Sequence, residues 1–148
     1  MLSPDFVGRE YPGSGTHEIH PYSIGAFAQA INDENPVYFD LGAAQELGYP
    51  NLVAPPTFLI TIALGESRRA LNDPELGLDW SRVVHGDQRF THARPVVAGD
   101  VLSCLTTIEA IKSVAGNDFV TMRSDFADHA GLQVASTWSM LVVRGPAS

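Results

Sequence analysis

Side chains that could do chemistry are few in this sequence, and they fall in a handful of places. Asp33 stands in the run Asn32-Asp33-Glu34-Asn35-Pro36-Val37-Tyr38. A carboxylate facing a proton-carrying group across a proline turn can hold a water and relay a proton. Tyr38 is the only proton carrier in that run besides carboxylates, and a phenol near pKa 10 is a poor base at neutral pH unless strongly perturbed. A second pair, His85 and Asp87, lies at the start of a strand-like segment. Imidazole is the side chain whose ordinary pKa suits proton transfer near pH 7, so His85 is a candidate base if the fold brings it near Asp33. Both places also have plainer readings. Asp33 and Asn35 are what a helix-terminating turn uses for its own backbone, and a strand-end histidine often bonds to main chain.

The remaining reactive groups carry less. His17, His20, His92 and His129 are scattered, without i, i+4 spacing or cysteine support, which argues against zinc. No other metal or cofactor is implied. Gly13-Ser14-Gly15 lacks the preceding strand, the following helix and the third glycine of a nucleotide loop. Cys104, the one cysteine, sits in an apolar run and reads as a small core residue; alone it excludes an intrachain disulfide.

The elements that must position these groups follow from periodicity. The chain has 148 residues, 45% of them hydrophobic, enough for one core in one domain spanning 1–148. The net charge of −8 lacks the basic footprint of a nucleic-acid binder and disfavours an anionic membrane surface. No apolar run reaches the roughly twenty residues of a membrane span, and the N-terminus does not read as a signal peptide, so a cytoplasmic protein is expected. After a break at Gly13-Ser14-Gly15, a short strand is expected over 16–19. Pro21 suits the first turn of a helix whose Ile24, Phe27, Ala28 and Ile31 form one apolar face, ending near Asn32. Residues 33–36 read as a turn, and 41–47 as a short helix closed by Gly48.

Pro55-Pro56 then fixes the approach to a largely buried helix that starts at Thr57 and turns polar through Glu66, Arg68 and Arg69 before Asn72. Apolar nearly all round in its first half, it must be wrapped by other structure. Strands are expected over 83–90, 101–111, 119–126 and 134–143. Residues 134–143 mix polar and apolar side chains on both faces, as in a strand covered on both sides. A short strand, helices, a buried helix and four strands make an α+β domain in which a curved antiparallel sheet wraps one long helix.

Residues 27–38 resemble the hydratase signature of MaoC-like proteins, a helix followed by Gly-Asp-x-Asn-Pro-Leu-His. Asp33, Asn35 and Pro36 match in order, and Ala44 stands where the pattern has a small residue. Phe6-Val7-Gly8-Arg9 resembles the family's opening, residues 84–90 a run of its N-terminal-type domains, and Arg94 to Asp100 its Pro-x-x-x-Gly-Asp turn. The resemblance spans nearly the whole chain and implies the hotdog fold. It also implies (3R)-3-hydroxyacyl-thioester dehydratase or enoyl-thioester hydratase activity on acyl-CoA or acyl-carrier-protein substrates, as a homodimer or as a heterodimer with a MaoC-like paralogue. In the family an Asp/His dyad holds the water, and backbone N–H groups at the central helix's N-terminus polarise the thioester carbonyl.

This chain departs from the pattern twice. Tyr38 replaces the His, and Ala54-Pro55-Pro56 replaces an Ala-His-Gly-like approach, so a proline with no N–H falls where a donor is expected. The resemblance therefore gives Asp33 with Tyr38 or His85 as catalytic candidates, and Asn35, Pro55, Pro56 and Thr57 as substrate-binding candidates. It leaves two functions open: a dehydratase in its own right, or a non-catalytic subunit that binds the acyl chain beside an active paralogue. A thioesterase is a third, disfavoured because the aspartate lies in the turn rather than on the central helix. Phe27, Phe58 and Trp138 read as core or as lining of the acyl path.

Overall fold

Pro21 opens the first helix, α1 (Pro21–Ala30), at a position where its missing N–H costs nothing. Ile24 and Ala28 are fully buried beneath it and Phe27 partly so, but Ile31, expected on the same face, is 45% exposed because the helix stops at Ala30. The helix ends when Asn32 takes a left-handed conformation, φ +56°, and the Asp33 N–H bonds back to the Ala28 carbonyl at 2.9 Å. Asn fills this position because its short polar side chain tolerates that region better than most residues. A 3-10 turn over Pro36–Tyr38 and a short helix, α2 (Leu41–Glu46), follow. This computed structural model describes residues 1–145.

The strands are β1 (Glu10–Glu18), β2 (Val83–His92), β3 (Val101–Val114), β4 (Asn117–Ala127) and β5 (Gln133–Val143). They form one sheet in the order β1-β3-β4-β5-β2, antiparallel throughout. β1 is longer than the expected 16–19. The Gly13-Ser14-Gly15 break is a bulge inside the strand, where the register against β3 shifts between Pro12 and Thr16. Gly13 permits it: a Cβ there would lie 2.6 Å from the Cys104 carbonyl oxygen.

The central helix, α3 (Ile60–Leu71), starts later than expected, because Pro56 to Leu59 form turns before regular helix begins. It buries Ala63, Glu66, Ser67, Ala70 and Leu71, and packs chiefly on β1, β3 and β4. The sheet wraps the helix as expected, with Leu64 left 49% exposed and the contacts of α3 made chiefly to β1, β3 and β4. β1 and β2 are the two edges of the sheet, and among the described residues β2 has no neighbour along its outer side.

Two apolar clusters make the core. One gathers Ile24, Ala28, Phe58, Leu59, Leu102 and Phe126 around the first turns of α3; the other gathers Ala70, Leu71, Ile108, Val120, Met122 and Leu141 around its end. Between them runs a belt of buried polar side chains, in which the Thr106 and Ser124 hydroxyls bond at 3.0 Å. Glu66, 5% exposed, belongs to this belt. Its carboxylate accepts from the Ser14 N–H at 3.1 Å, the Ser14 hydroxyl at 2.8 Å and His17 Nε2 at 2.7 Å. The bulge of β1 is thereby bolted to α3. Burial works to raise the Glu66 carboxyl, but the bonds from Ser14 and His17 outweigh it and hold the group below its ordinary value.

Two outcomes follow for stability. Gly13→Ala must push β1 off β3 or Glu66 off its donors, and is expected to lower unfolding free energy by about 1–3 kcal/mol in urea titration. A depressed carboxyl contributes stability above its unfolded pKa and loses it as pH falls through the folded value. Glu66→Gln is therefore expected to destabilise the protein at pH 7 and to flatten the acid limb of its urea midpoint against pH.

Candidate functional site

The turn after α1 arranges its own side chains. Asp33 Oδ1 accepts the Asn35 N–H at 3.2 Å, and Asn35 Oδ1 accepts the Val37 N–H at 3.2 Å, which caps the 3-10 turn. That turn swings Tyr38 inward, 6% exposed, and its hydroxyl donates to Asp33 Oδ2 at 3.1 Å. Both carboxylate oxygens of Asp33 are thus occupied. Burial of the Tyr38 ring, together with the hydrogen bond and charge of Asp33, pushes the phenol above its ordinary pKa of 10. A phenol so placed stays protonated at neutral pH and cannot accept a proton.

Beside this pair lies a cleft of about 460 Å³. Asn35, Val37 and Tyr38 form one wall, Val53, Ala54 and Pro56 the floor, and His92 to Val96 the far side. The strip 52–54 is clipped in place from both sides. Val53 N–H bonds to the Val37 carbonyl at 3.0 Å and Ala54 N–H to the Val96 carbonyl at 2.8 Å. The far wall is fixed by the Arg94 guanidinium, which grips Asp100 through two bonds of 2.8 and 2.9 Å, while Asp100 also accepts the Val97 N–H at 2.9 Å.

The approach to α3 offers few donors. The Ala54 N–H is used by Val96, Pro55 and Pro56 have none, and the Phe58 N–H bonds to the Pro55 carbonyl at 2.9 Å. Among the described residues, Thr57 and Leu59 keep N–H groups in this stretch without a main-chain acceptor. Of the expected site residues, the cleft therefore brings together Tyr38, Asn35 and Pro56. Asp33 stands behind Tyr38, while Pro55 and Thr57 fall outside the lining.

His85 is not brought to the cleft. It is exposed on β2, with Nε2 on the Asp87 carbonyl at 3.0 Å beside an irregularity in the ladder to β5. The imidazole that does line the cleft is His92, at the end of the same strand. Burial lowers its pKa, which favours the neutral ring. Gln88, Phe90 and His92 share one face of β2, but only the register of β2 against β5, in which His92 pairs with buried Ala135, places the ring there. Glu66 is a carboxylate on the central helix after all, but its oxygens already accept three hydrogen bonds. Cys104 is buried, and burial pushes its thiol up to about 11, which keeps it protonated and unreactive. No group of three or more His, Cys, Asp or Glu among the described residues could hold a metal ion.

Comparison with known proteins supplies relatives for this arrangement. A family model described as FAS1-like, dehydratase domain region, matches residues 5–137. A UPF0336 protein of Streptomyces coelicolor is 49% identical over 143 residues, covering 97% of this chain and 95% of that protein. A UPF0336 protein of Thermobifida fusca is 49% identical over 146 residues, covering 99% and 96%. Among solved structures, the HadBC (3R-hydroxyacyl-ACP dehydratase) complex from Mycobacterium tuberculosis superposes with a TM-score of 0.87 at 28% identity, over 95% of this chain and 99% of that one. A MaoC-like dehydratase superposes with a TM-score of 0.89 at 30% identity, over 95% of this chain and 43% of that one.

The geometry of the turn sets one outcome. Tyr38→Phe removes the hydroxyl of a buried tyrosine that donates to a carboxylate, and is expected to lower unfolding free energy by about 1 kcal/mol at pH 7. His85→Ala is expected to stay within about 0.5 kcal/mol of the parent protein in the same titration.

Proposed function

Because the chain belongs to the FAS1-like dehydratase-domain family, among the MaoC-like hotdog dehydratases, we propose that it works as the non-catalytic half of a heteromeric acyl-thioester dehydratase. In this reading its cleft receives part of a (3R)-3-hydroxyacyl or enoyl thioester, and a second hotdog chain with an intact Asp/His turn supplies the proton transfers. The observation that carries the reading is the bond from Tyr38 to Asp33. Dehydration takes a proton from C2 and returns one to the departing hydroxyl at C3, so it needs a group that exchanges protons near pH 7. A phenol held above its ordinary value and donating to the neighbouring carboxylate does not meet that need, and His92, the imidazole that lines the cleft, stands on the far wall rather than in the turn with Asp33.

Two further features support the reading. Enolate stabilisation at the start of the central helix needs converging donors, and Pro55 and Pro56 remove two of them, leaving the N–H groups of Thr57, which falls outside the cleft lining, and of buried Leu59. The unpaired edge of β2 and the open flank of α3 present the kind of surface that a sheet of this type covers with a partner. The HadBC complex, which this chain superposes on over nearly its full length, is a heteromer by its name, as is the ChsH1-ChsH2 complex of the same fold.

The test is a hydration assay with crotonyl-CoA and a longer trans-2-enoyl-CoA. The purified chain alone is expected to give no rate above buffer. Co-purified with a hotdog chain that carries both Asp and His, it is expected to give a rate that Asp33→Ala in this chain changes by less than about twofold. Hydration by the chain alone, abolished by Asp33→Ala, contradicts the reading.

A further inference from the structure

A groove runs along the opposite flank of α3, between β1 and α1, away from the Tyr38 cleft. It consists of two cavities of about 650 and 370 Å³ that share His17, Thr61 and Ile62. The larger is walled by Ile19, Phe27, Phe58 and Ile62, with the Phe27 and Phe58 rings edge to face at 5.6 Å. The smaller is polar and runs from Ser14 and Glu66 to Arg69. From Ile60 to Arg69 the helix rises about 14 Å, and the groove runs along it from the Phe27 and Phe58 rings to the hydrogen-bonding groups of Glu66 and Arg69.

His17 sits where the two cavities meet, and Glu66 sets its orientation. Glu66 is held ionised, so the ring can meet it at 2.7 Å only by donating Nε2–H. In the neutral ring this leaves Nδ1 as a hydrogen-bond acceptor. Thr61 gives its hydroxyl proton to the Phe58 carbonyl at 2.9 Å, which leaves its oxygen as a second acceptor. Arg69 places Nη1 on the Pro12 carbonyl at 2.6 Å, and its other N–H groups remain as donors among the described residues. A head group that both donates and accepts fits these partners. Glu66 bonds directly to His17, whereas Arg69 lines only the smaller cavity and has Nη1 on the Pro12 carbonyl, so a head seated at His17 lies against the carboxylate and an anionic head is disfavoured there.

We propose that this groove is a second ligand site, taking a linear alkyl chain that carries a neutral hydroxyl, with the chain over Phe58 and the hydroxyl at His17. The site is separate from the thioester cleft, and the proposal stands whether or not the chain is catalytically silent.

The experiment is calorimetric titration of the full chain with 1-octanol and, separately, with sodium octanoate. 1-Octanol is expected to bind at one site per chain, and octanoate at least about tenfold more weakly, since the carboxylate meets Glu66. Thr61→Trp fills the groove from an exposed position and leaves the Glu66 bonds in place, so it is expected to abolish 1-octanol binding while the unfolding midpoint holds. Tyr38→Phe, on the other flank, is expected to leave 1-octanol binding unchanged. The proposal is overturned if 1-octanol does not bind, if octanoate binds as tightly, if Thr61→Trp keeps full binding, or if Tyr38→Phe removes it.

Discussion

The hydrogen bond from Tyr38 to Asp33 decides what the turn after α1 can do, and much of the surrounding backbone is arranged around it. Asn32 in a left-handed conformation ends the helix, so that Asp33 points back over the turn. The Asx bonds of Asp33 and Asn35 and the 3-10 turn over Pro36–Tyr38 then bring the phenol to the carboxylate. The same backbone that would present an imidazole to a water here presents a donor whose proton is already engaged. Val37, between them, is tied through Val53 to the strip leading into α3, so the turn, the two prolines and the far wall at Val96 form one continuous hydrogen-bonded frame.

A second constraint comes from the sheet. Five strands curve around a helix that reaches chiefly β1, β3 and β4. On the β1 side, the middle and last turn of α3 are fastened by the Ser14, His17 and Glu66 bonds and by Arg69 on Pro12. On the β2 side there is an open ladder edge and the half-exposed Leu64. The amide nitrogen of Gln88, on the helix-facing side of β2, is buried without a partner. An orphaned buried amide is costly, so an acceptor supplied from outside the chain would be favoured there. One flank of the helix is therefore fastened within the chain, and the other is left open along the β2 edge among the described residues.

Much of the fold was legible because its signals are periodic and local. The apolar face of α1, the glycine after α2 and the turns between the long strands all lie where spacing puts them. What periodicity could not show was the length of β1. Gly13-Ser14-Gly15 looks like a break, and only the Cys104 carbonyl behind Gly13 reveals that it is a bulge. The start of α3 was misjudged for a related reason, since Pro55-Pro56 is followed by turns before regular helix. At the site, Asp33, Asn35, Tyr38 and Pro56 were legible from the turn motif and the paired prolines. His92 was not, because its place depends on the pairing of β2 with β5, and a lone histidine at a strand end carries no motif. The role of Glu66 was hidden likewise, since its partners Ser14 and His17 are distant in sequence and meet it only through the bulge.

The account rests on Tyr38 remaining a protonated donor to Asp33 through the range in which a dehydratase works. Carbon-13 NMR of protein labelled at tyrosine Cζ, with Tyr38→Phe to assign the resonance, measures this directly. The predicted result is a Tyr38 signal that stays at its protonated position from neutral pH to about 10, because the folded site raises the phenol above its ordinary value. A Tyr38 signal that titrates near neutral pH would give the turn a usable base, and the reading of this chain as the silent half of a dehydratase would be wrong.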